Sequence, residues 1–396
     1  MTQSQARRLV VSYAFAPYVD PAAQHAAKRV RESGVPVDVI HNAMDERRAL
    51  DPDLDLIVDG LMQRRQAVAS PTVFGAWSAV RDFAEEGLAT ALAWDADGLG
   101  YTELYSRANY AHSHVLAARV ALRRPLVRWV AEFAEPVSLD ANGRRHSAPV
   151  EDDELLAELR DALVSRGVRP PESDNLYVWS EVLALGLADE VVFTSEQLRA
   201  RMLEDVDPEL AERVRAASVI REQPAPPADL YTAHDVDHPL DPDRRHIAYF
   251  GSLYRNPAVD TTVEALTALP QSVRERLALH LFTRKPREAQ RVMDERGVGD
   301  VVRCNPPADY LDSLALMRRM DCLLLNDTVT APESGVTPFV PSMWSDYAGS
   351  GASVWGMVQQ GSALDAQPLA HTSPVNHVSA ACQVLAQIAR SDSSRG

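Results

Sequence analysis

The chain has 396 residues, of which 46% are hydrophobic and 24% charged, and its formal net charge is −16. This length predicts two domains, and the composition is that of a soluble globular protein. The acidic balance, with a pI near 5.1, argues against nucleic acid as a partner because phosphate binding needs clustered Lys and Arg.

Cysteine usage and hydropathy indicate in which cellular compartment the protein is expected. The three cysteines lie far apart without a CxxC pair, so we expect no disulfide framework, no metal site and a reducing cytoplasm. Arg7 and Arg8 precede an apolar run too short for a signal peptide, and no window reaches the ~18–20 apolar residues of a membrane span. The basic stretch 121–129 could contact the inner face of a membrane peripherally, but a solvated helix end explains it better.

The first half of the chain alternates strand and helix signals. Apolar runs of strand length and stretches of helical spacing follow one another, which predicts a mostly parallel sheet covered by helices. Residues 139–171 interrupt this rhythm with a polar, acidic stretch that we interpret as an excursion. The predicted strands are 9–15, 35–40, 103–105, 127–133 and 191–193, and the predicted helices include 21–33, 53–68, 74–93 and 108–122.

A Pro-rich stretch separates this half from a second α/β pattern. Residues 223–245 have almost no periodicity and are predicted to be a semi-rigid linker between domains 1–222 and 246–396. The last helix is a candidate to pack back on the N-terminal domain. Predicted strands of the second half are 246–251, 279–283, 301–304, 321–325 and 352–356, and predicted helices are 259–269, 286–296, 308–319 and 376–390.

Polar residues follow several strands of the second half. Because parallel strands end at one edge of a sheet, these residues are predicted to converge there, where ligands of open α/β sheets bind. Each also has an ordinary explanation: a tight turn, a basic helix start, or a carboxylate that compensates a helix dipole. The candidates are Gly251, Ser252 and Arg255 after the first strand, Arg284 and Lys285 after the second, Asp327 after the fourth, and Asp346 in the next helix.

The first half offers two candidates. His112 and His114 are two residues apart on a helix and face different ways, so a shared metal site is disfavoured. His114 could instead bond to a sugar hydroxyl or phosphate. The alternative is a histidine on the helix surface whose hydrogen bonds are satisfied within the protein. Glu135 ends a strand and is a candidate for acceptor binding or proton transfer, unless an arginine simply neutralises it.

These motifs resemble a known group of enzymes. The phrases YFGSLYRNPAVDTTVEAL, DCLLLND and PFVPSMWSDYAGSG followed by ASVWG resemble GT-B glycosyltransferases, specifically the retaining GT4-like group. The segments WVAEFAEP and LADEVVFTSEQLRARML are similar to its acceptor domain. The resemblance implies an α/β GT-B fold in which two Rossmann-like domains face each other across a cleft.

The resemblance also assigns roles by position. It implies donor binding by a glycine turn, basic residues and the proline-punctuated loop, ribose binding by Asp346, and leaving-group stabilisation by Arg255 and Lys285. Met343 stands where the group commonly has a lysine, and Pro338 replaces the first of two acids. The implied donor-binding residues are Gly251, Ser252, Arg255, Arg284, Lys285, Asp327, Val340, Ser342, Met343 and Asp346.

The leading hypothesis is transfer of a sugar, with retention, from a nucleotide-diphosphate sugar to an acceptor of an envelope-polysaccharide or natural-product pathway. The nucleotide sugar is the donor substrate, and no cofactor or metal is expected. Two alternatives stay open: a degenerate non-catalytic GT-B protein that acts as a partner or sugar-binding subunit, and another GT-B enzyme such as a nucleotide-sugar epimerase or pseudo-glycosyltransferase. Homo-oligomerisation or association with a partner subunit also stays open.

Overall fold

The computed structural model describes residues 8–96, 100–140, 143–251, 257–327 and 335–391. The chain divides into two compact units, Met1–Pro224 and Ala225–Gly396. Ser252 and Arg255, two of the predicted donor-binding residues, lie outside the described residues.

The first unit is built on a parallel sheet. In its described part the strand order is β3-β2-β1-β4-β5-β6-β7, and Val10 of β1 pairs with both Val39 of β2 and Tyr105 of β4. The strands are β1 (Arg8–Val11), β2 (Val37–Asn42), β3 (Met62–Val68), β4 (Glu103–Ala108), β5 (Arg128–Phe133), β6 (Glu190–Phe193) and β7 (Val219–Ile220). The helices are α1 (Pro21–Ser33), α2 (Trp77–Trp94), α3 (Ala111–Arg123), α4 (Glu154–Ser165), α5 (Leu176–Leu187), α6 (Glu196–Leu203) and α7 (Pro208–Ala217).

Local signals explain how α1 begins and ends. Asp20 caps its N-terminus by accepting from the backbone N–H of Ala22 at 2.9 Å, and Pro21 occupies the first turn. Gly34 ends the helix in the left-handed region, with φ of 63°, where a glycine avoids the cost of a Cβ. The capping residue therefore lies where the chain leaves β1 and enters α1.

The first unit departs from the secondary structure expected from the sequence in two places. Residues 53–68, predicted to be one helix, form a 3-10 helix (Pro52–Val58) followed by strand β3. The excursion at 139–171 contains helix α4, which Asp153 caps by accepting from the N–H of Leu156 at 2.9 Å. Leu155, Leu159 and other residues of α4 are buried in the core, so this segment contributes to the domain interior.

The second unit repeats the arrangement. In its described part the parallel strands are ordered β10-β9-β8-β11-β12-β13. The strands are β8 (Arg245–Phe250), β9 (Leu277–Phe282), β10 (Val302–Asn305), β11 (Cys322–Asn326), β12 (Ser353–Val358) and β13 (His371–Pro374). The helices are α8 (Pro257–Ala268), α9 (Gln271–Arg274), α10 (Pro286–Glu295), α11 (Tyr310–Arg319), α12 (Trp344–Gly349) and α13 (Val378–Ile388), and α13 packs against α8 within this unit.

The Pro-rich segment before β8 packs on the second unit. It contains a 3-10 helix (Ala228–Thr232) that contacts α11, and Leu230 and Tyr231 in it are buried. The 3-10 helix in the segment that is predicted to be a semi-rigid linker is therefore attached to the second unit.

Strand order places the ligand-binding edge in each unit. In both sheets the first strand lies between the second and the fourth. The direction in which successive strands are added across the sheet therefore reverses between β1 and β4 and between β8 and β11. In open α/β sheets, ligands bind outside the carboxyl ends of the strands at this switch point. The carboxyl ends of β8 and β11 are accordingly the candidate site of the second unit.

Candidate functional site

Gly251 follows β8 at the switch point of the second sheet and is exposed. A Cβ at this position would lie 2.8 Å from the hydroxyl oxygen of the buried Tyr249, so the close approach of that ring favours glycine. The backbone N–H of Phe250 donates to the hydroxyl oxygen of Tyr347 at 3.1 Å. This hydrogen bond ties helix α12 to the end of β8.

Arg284 and Lys285 follow β9, the strand beside β8, and both are exposed. Lys285 precedes helix α10, its side chain is 76% exposed, and its Nζ lies 3.0 Å from the carboxylate of Glu288. Such an exposed ion pair has a net value of about 0–1 kcal/mol, so it does not prevent Lys285 from pairing with an anionic ligand.

Asp327 follows β11 and is fully buried. Its carboxylate accepts from the backbone N–H of Gln359 at 2.7 Å and from the hydroxyl of Ser362 at 2.6 Å. Burial raises the pKa of Asp327, and the bonds from Ser362 and Gln359 oppose that rise. The structure thus gives Asp327 a role in holding the loop after β12, and a contact with a ligand stays a prediction.

The loop before α12 is mostly packed. Val340 is 5% exposed, Ser342 and Met343 are half-buried, and Thr337 donates through its backbone N–H to the side chain of Gln359 at 3.2 Å. Met343 immediately precedes α12. The loop therefore brings apolar and hydroxyl groups to this edge, without the cation that the resembled group carries.

Asp346 is held by two tyrosines. Its side chain accepts from the hydroxyl of Tyr310 at 2.9 Å, and its backbone carbonyl accepts from the hydroxyl of Tyr231 at 2.5 Å. The residue is 2% exposed. This burial gives no direct support to ribose binding, which stays a prediction. Neither tyrosine was singled out from the sequence, because each lies far from Asp346 along the chain.

In the first unit, Glu135 lies after β5 and is half-buried. The side-chain amide of Asn109, which follows β4, donates to it at 2.6 Å. Burial raises the pKa of Glu135, while Arg107 lowers it and Asp20 raises it further. A carboxyl group with a raised pKa at a sheet edge is suited to exchanging a proton with a ligand.

A polar cluster beside Glu135 was missed in the sequence. Asp20 accepts from the guanidinium of Arg48 at 2.6 Å and from the hydroxyl of Tyr110 at 3.0 Å. The Tyr110 ring stacks on Phe74 with centroids 4.7 Å apart. The Asp20-Pro21 dipeptide, a helix-start signal directly after an apolar run, could have located this cluster.

His114 lies in the first turn of α3 and is fully buried. Its Nδ1 lies 2.9 Å from the hydroxyl oxygen of Ser106, which also accepts from the indole N–H of Trp129 at 2.8 Å. Burial lowers the pKa of His114 to about 3. The structure therefore places a neutral imidazole in the core and does not bring His114 to the edge where a sugar could contact it.

The described residues show neither a metal-binding cluster nor a membrane-spanning helix. Within the residues that the structure describes, no group of three or more His, Cys, Asp or Glu side chains is arranged to hold a metal ion. Among the helices described between residues 8 and 391, none is both long and apolar enough to cross a membrane.

The sequence matches no protein-family model, and comparison with curated proteins finds no match. Solved structures do match over almost the whole chain. HepE of Anabaena in complex with UDP aligns with a TM-score of 0.54 at 13% identity, covering 97% of this chain and 92% of that chain. Sucrose-phosphate synthase of Thermosynechococcus elongatus gives 0.53 at 14% identity, covering 96% and 89%. A UDP-N-acetylglucosamine 2-epimerase gives 0.50 at 10% identity, covering 99% and 92%.

These likenesses establish the fold. The chain has the two-unit, Rossmann-like α/β architecture of GT-B proteins, with parallel sheets of seven and six strands among the described residues. The fold class expected from the sequence is confirmed. At these identities the comparisons do not extend to the reaction.

Proposed function

We propose that this chain is a GT-B enzyme that binds a nucleotide-diphosphate sugar at the carboxyl edge of its second sheet and transfers the sugar, with retention, to an acceptor bound by the first unit. The observation that carries the proposal is the position of two exposed cations, Arg284 and Lys285. They follow β9, the strand beside β8, and Gly251 follows β8 at the switch point of the sheet. Cations at that position match the charge of a diphosphate. The structural likeness to HepE, which binds UDP in its crystal structure, supports the same ligand class.

The two cations have a defined chemical task in this proposal. When the sugar departs, negative charge grows on the diphosphate leaving group, and Arg284 and Lys285 stabilise it electrostatically. Each charge-assisted hydrogen bond contributes about 1.5–3 kcal/mol. Arg255, assigned the same role through the family resemblance, would act with them. The donor is a substrate here, and these residues supply the positive charge.

Glu135 is the proposed contact for the acceptor. Its raised pKa and its hydrogen bond from Asn109 suit a carboxyl group that accepts a hydrogen bond or proton from an acceptor hydroxyl. Asp20, Arg48 and Tyr110 form the adjacent polar cluster of the first unit, in which Asp20 is buried and the other two are half-buried. Replacing Glu135 with Gln is expected to slow transfer without changing the affinity for UDP.

Calorimetric titration with UDP, GDP, ADP and their sugars tests the donor site. Wild type is expected to bind at least one of them at micromolar Kd. Arg284→Ala/Lys285→Ala should weaken that binding by roughly 10²–10⁴, as expected for the loss of two charge-assisted bonds. The matched control is Arg291→Ala, which removes an exposed cation whose partner is Glu295 on the same helix. The proposal is wrong if no nucleotide binds, or if the control weakens binding as much.

A second candidate is a GT-B protein that binds a nucleotide sugar or a partner without catalysing transfer. The burial of Asp346 and the apolar Met343 in the loop favour it. Incubation of wild type with each bound nucleotide sugar and an acceptor panel, followed by product analysis, separates the candidates. Transfer or donor hydrolysis supports the enzyme, an isomerised nucleotide sugar indicates an epimerase, and binding with no product supports the non-catalytic protein.

A further inference from the structure

Three histidines of the second unit form a continuous chain of hydrogen bonds, called here the histidine chain. Nε2 of His238 lies 3.0 Å from Nδ1 of His280, and Nε2 of His280 lies 2.7 Å from Nδ1 of His246. Nε2 of His246 lies 2.9 Å from the carbonyl oxygen of Asp241. His246 on β8 and His280 on β9 are buried. Both ends of the chain, His238 and Asp241, belong to the segment before β8, so the chain ties that segment to the sheet.

The terminal carbonyl fixes every proton of the neutral chain. A carbonyl oxygen only accepts, so Nε2 of His246 carries a hydrogen and its Nδ1 accepts from His280. By the same step, Nδ1 of His280 accepts from Nε2–H of His238. One added proton fits at Nδ1 of His238 without breaking a bond. A second added proton puts two N–H groups face to face in one of the ring-to-ring bonds, so that bond is lost.

Residues 228–241, called here the strap, also contact the helix of the proposed donor site. The hydroxyl of Tyr231 donates to the carbonyl oxygen of Asp346 in α12 at 2.5 Å. A Cβ at Gly349, the last residue of α12, would lie 2.4 Å from the same hydroxyl oxygen. The strap therefore lies directly against α12, and any movement of Tyr231 removes a support of that helix.

We propose that the histidine chain is a pH-sensitive latch that holds the strap on the second sheet at neutral pH and releases it in acid. An opened strap leaves the three imidazoles in water, where each titrates near its ordinary pKa of about 6.5. The closed chain accepts one proton and the open one accepts three. The open state therefore binds two more protons than the closed state. The ratio of open to closed states rises roughly 100-fold for each unit by which the pH falls below that pKa.

Charged groups around the latch act in both directions. Burial lowers the pKa of His238, Arg319 and His246 lower it further, and Asp237 raises it. Arg319, from the end of α11, also donates to the carbonyl oxygen of His238 at 2.8 Å. These groups act on His238, the ring at which the closed chain accepts its one added proton. The other charged neighbours are Asp321, which accepts from the backbone N–H of His246 at 2.7 Å, Arg245 at 3.9 Å from Asp321, Arg244 at 3.4 Å from Asp241, and the His234–Asp312 pair at 2.8 Å.

Amide hydrogen exchange on the ligand-free full chain tests the latch. Between pH 6.5 and pH 5.5, after correction for intrinsic rates, protection of the strap is expected to fall roughly 100-fold. Protection of α13 in the same unit should change much less. The proposal is overturned if the strap keeps its protection, or if α13 loses as much.

Variants separate the latch from general acid sensitivity. Gln at position 238 can donate to His280 but does not titrate. By the same count the closed His238→Gln chain accepts no proton and the open one accepts two, so this variant should keep the strap protected at pH 6.5 and lose protection at pH 5.5 as wild type does. His280→Leu removes both ring-to-ring bonds and should expose the strap at either pH. The matched control is His371→Gln, at a half-buried histidine of β13, which should behave as wild type. A His238→Gln strap that keeps its protection at pH 5.5 contradicts the latch.

A spectroscopic measurement on wild type avoids any variant that fails to fold. With ¹⁵N-labelled histidine at pH 7.5, His238, His280 and His246 are all expected as Nε2–H tautomers. An Nδ1–H tautomer at any of the three overturns the proposed proton order. The effect on ligand binding rests on the proposed function: if UDP binds, His280→Leu should weaken it tenfold or more. If UDP binds neither protein, the proposed function fails while the exchange result still decides the latch.

Discussion

The two units have sheets of the same strand order but use charge differently. In the first unit, the fully buried Glu132 accepts from Arg29 at 2.8 Å and also pairs with Arg107, and the Tyr105 hydroxyl donates to it at 3.1 Å. In the second unit, Arg284 and Lys285 extend from the sheet edge and are exposed. The buried charge of Glu132 is thus paired within the first unit, whereas the second unit has exposed cations at the edge of its sheet.

The difference shows which features of a shared topology serve stability. Buried charges are tolerated only when paired and hydrogen-bonded, so the network around Glu132 must be complete. Exposed cations contribute little to stability and can be retained for a ligand. Substitutions in the first network should therefore affect unfolding, and substitutions of the second set should affect binding.

Acid should separate the units most strongly. Burial is the main cause that lowers the pKa of His41 to about 4 and of His112 and His114 to about 3, all in the first unit. Because these folded-state values are below the unfolded value, the stabilisation is complete above about pH 6.5 and is lost as pH falls toward the folded values. Between pH 6.5 and 5 each histidine should cost roughly 2 kcal/mol. Urea unfolding followed by hydrogen exchange measures this for each unit.

One histidine provides a direct check on that expectation. Neither ring nitrogen of His112 has a hydrogen-bond partner within the described residues, and its ring packs against Tyr13 with centroids 3.9 Å apart and a tilt of 31°. His112→Phe should therefore remove roughly 2 kcal/mol of the acid-dependent loss, about one histidine's share. His146→Gln, at an exposed position, is the control and should leave the loss unchanged. An unchanged loss in His112→Phe would show that this ring is not the titrating group.

Removing the charge of Glu132 should give the next largest effect. Burial alone would raise the pKa of Glu132, but Arg29 and Arg107 overcome it and hold the pKa below its ordinary range. Glu132→Gln removes the carboxylate that pairs with Arg107 and leaves Arg29 with the half-exposed Glu32 at 2.6 Å, so it should reduce the free energy of unfolding by about 3–5 kcal/mol.

The control for this substitution is Glu103→Gln. Glu103 pairs with Arg8, whose side chain is 18% exposed, and lies 3.3 Å from Arg128, whose side chain is 51% exposed, so about 0–1 kcal/mol should be lost for each pair. Chemical denaturation of both variants measures the two values. Equal losses would contradict the assignment of the buried network as a stabilising element.

The sequence predicted the buried strands well and the edge of the first sheet poorly. Strand Arg128–Phe133 is mostly apolar, and its residues after Arg128 are buried because both faces are covered. Strand β3, by contrast, reads MQRRQAV and is mostly half-exposed, so its composition suits a helix as well as an edge strand. Only its pairing with β2 selects the strand. Helix α4 was missed because its acidic capping run was interpreted as a surface excursion.

For the candidate site, position was predictable and burial was not. The local sequence pattern predicts that a polar or glycine residue follows each of several parallel strands, and the topology brings the ends of these strands to one edge. These residues are Gly251, Arg284, Lys285 and Asp327. Whether a side chain there meets solvent depends on distant residues. Ser106 and Trp129 surround His114, and Tyr310 covers Asp346; none of these contacts follows from local periodicity.

A matched pair of tyrosines sharpens the comparison between the units. Tyr310 donates to the carboxylate of Asp346 at 2.9 Å in the second unit, and Tyr101 donates to the carboxylate of Asp38 at 2.5 Å in the first. Tyr310→Phe and Tyr101→Phe each remove a hydrogen bond to a buried acid and should cost about 1.5–3 kcal/mol of stability.

Affinity for UDP should distinguish the two variants. If Tyr310 positions Asp346 for a nucleotide, Tyr310→Phe should raise the Kd about tenfold, whereas Tyr101→Phe should leave it unchanged because Asp38 lies in the interior of the other unit. Calorimetry at pH 7.5 gives both values. A conservative Asp346→Glu substitution extends the carboxylate by one methylene and should change the Kd while Tyr310 is present. Equal affinities of wild type, Tyr310→Phe and Asp346→Glu would assign Asp346 to the interior of the second unit. A carboxylate that contacts no ligand is not expected to alter the Kd when the hydrogen bond from Tyr310 is removed.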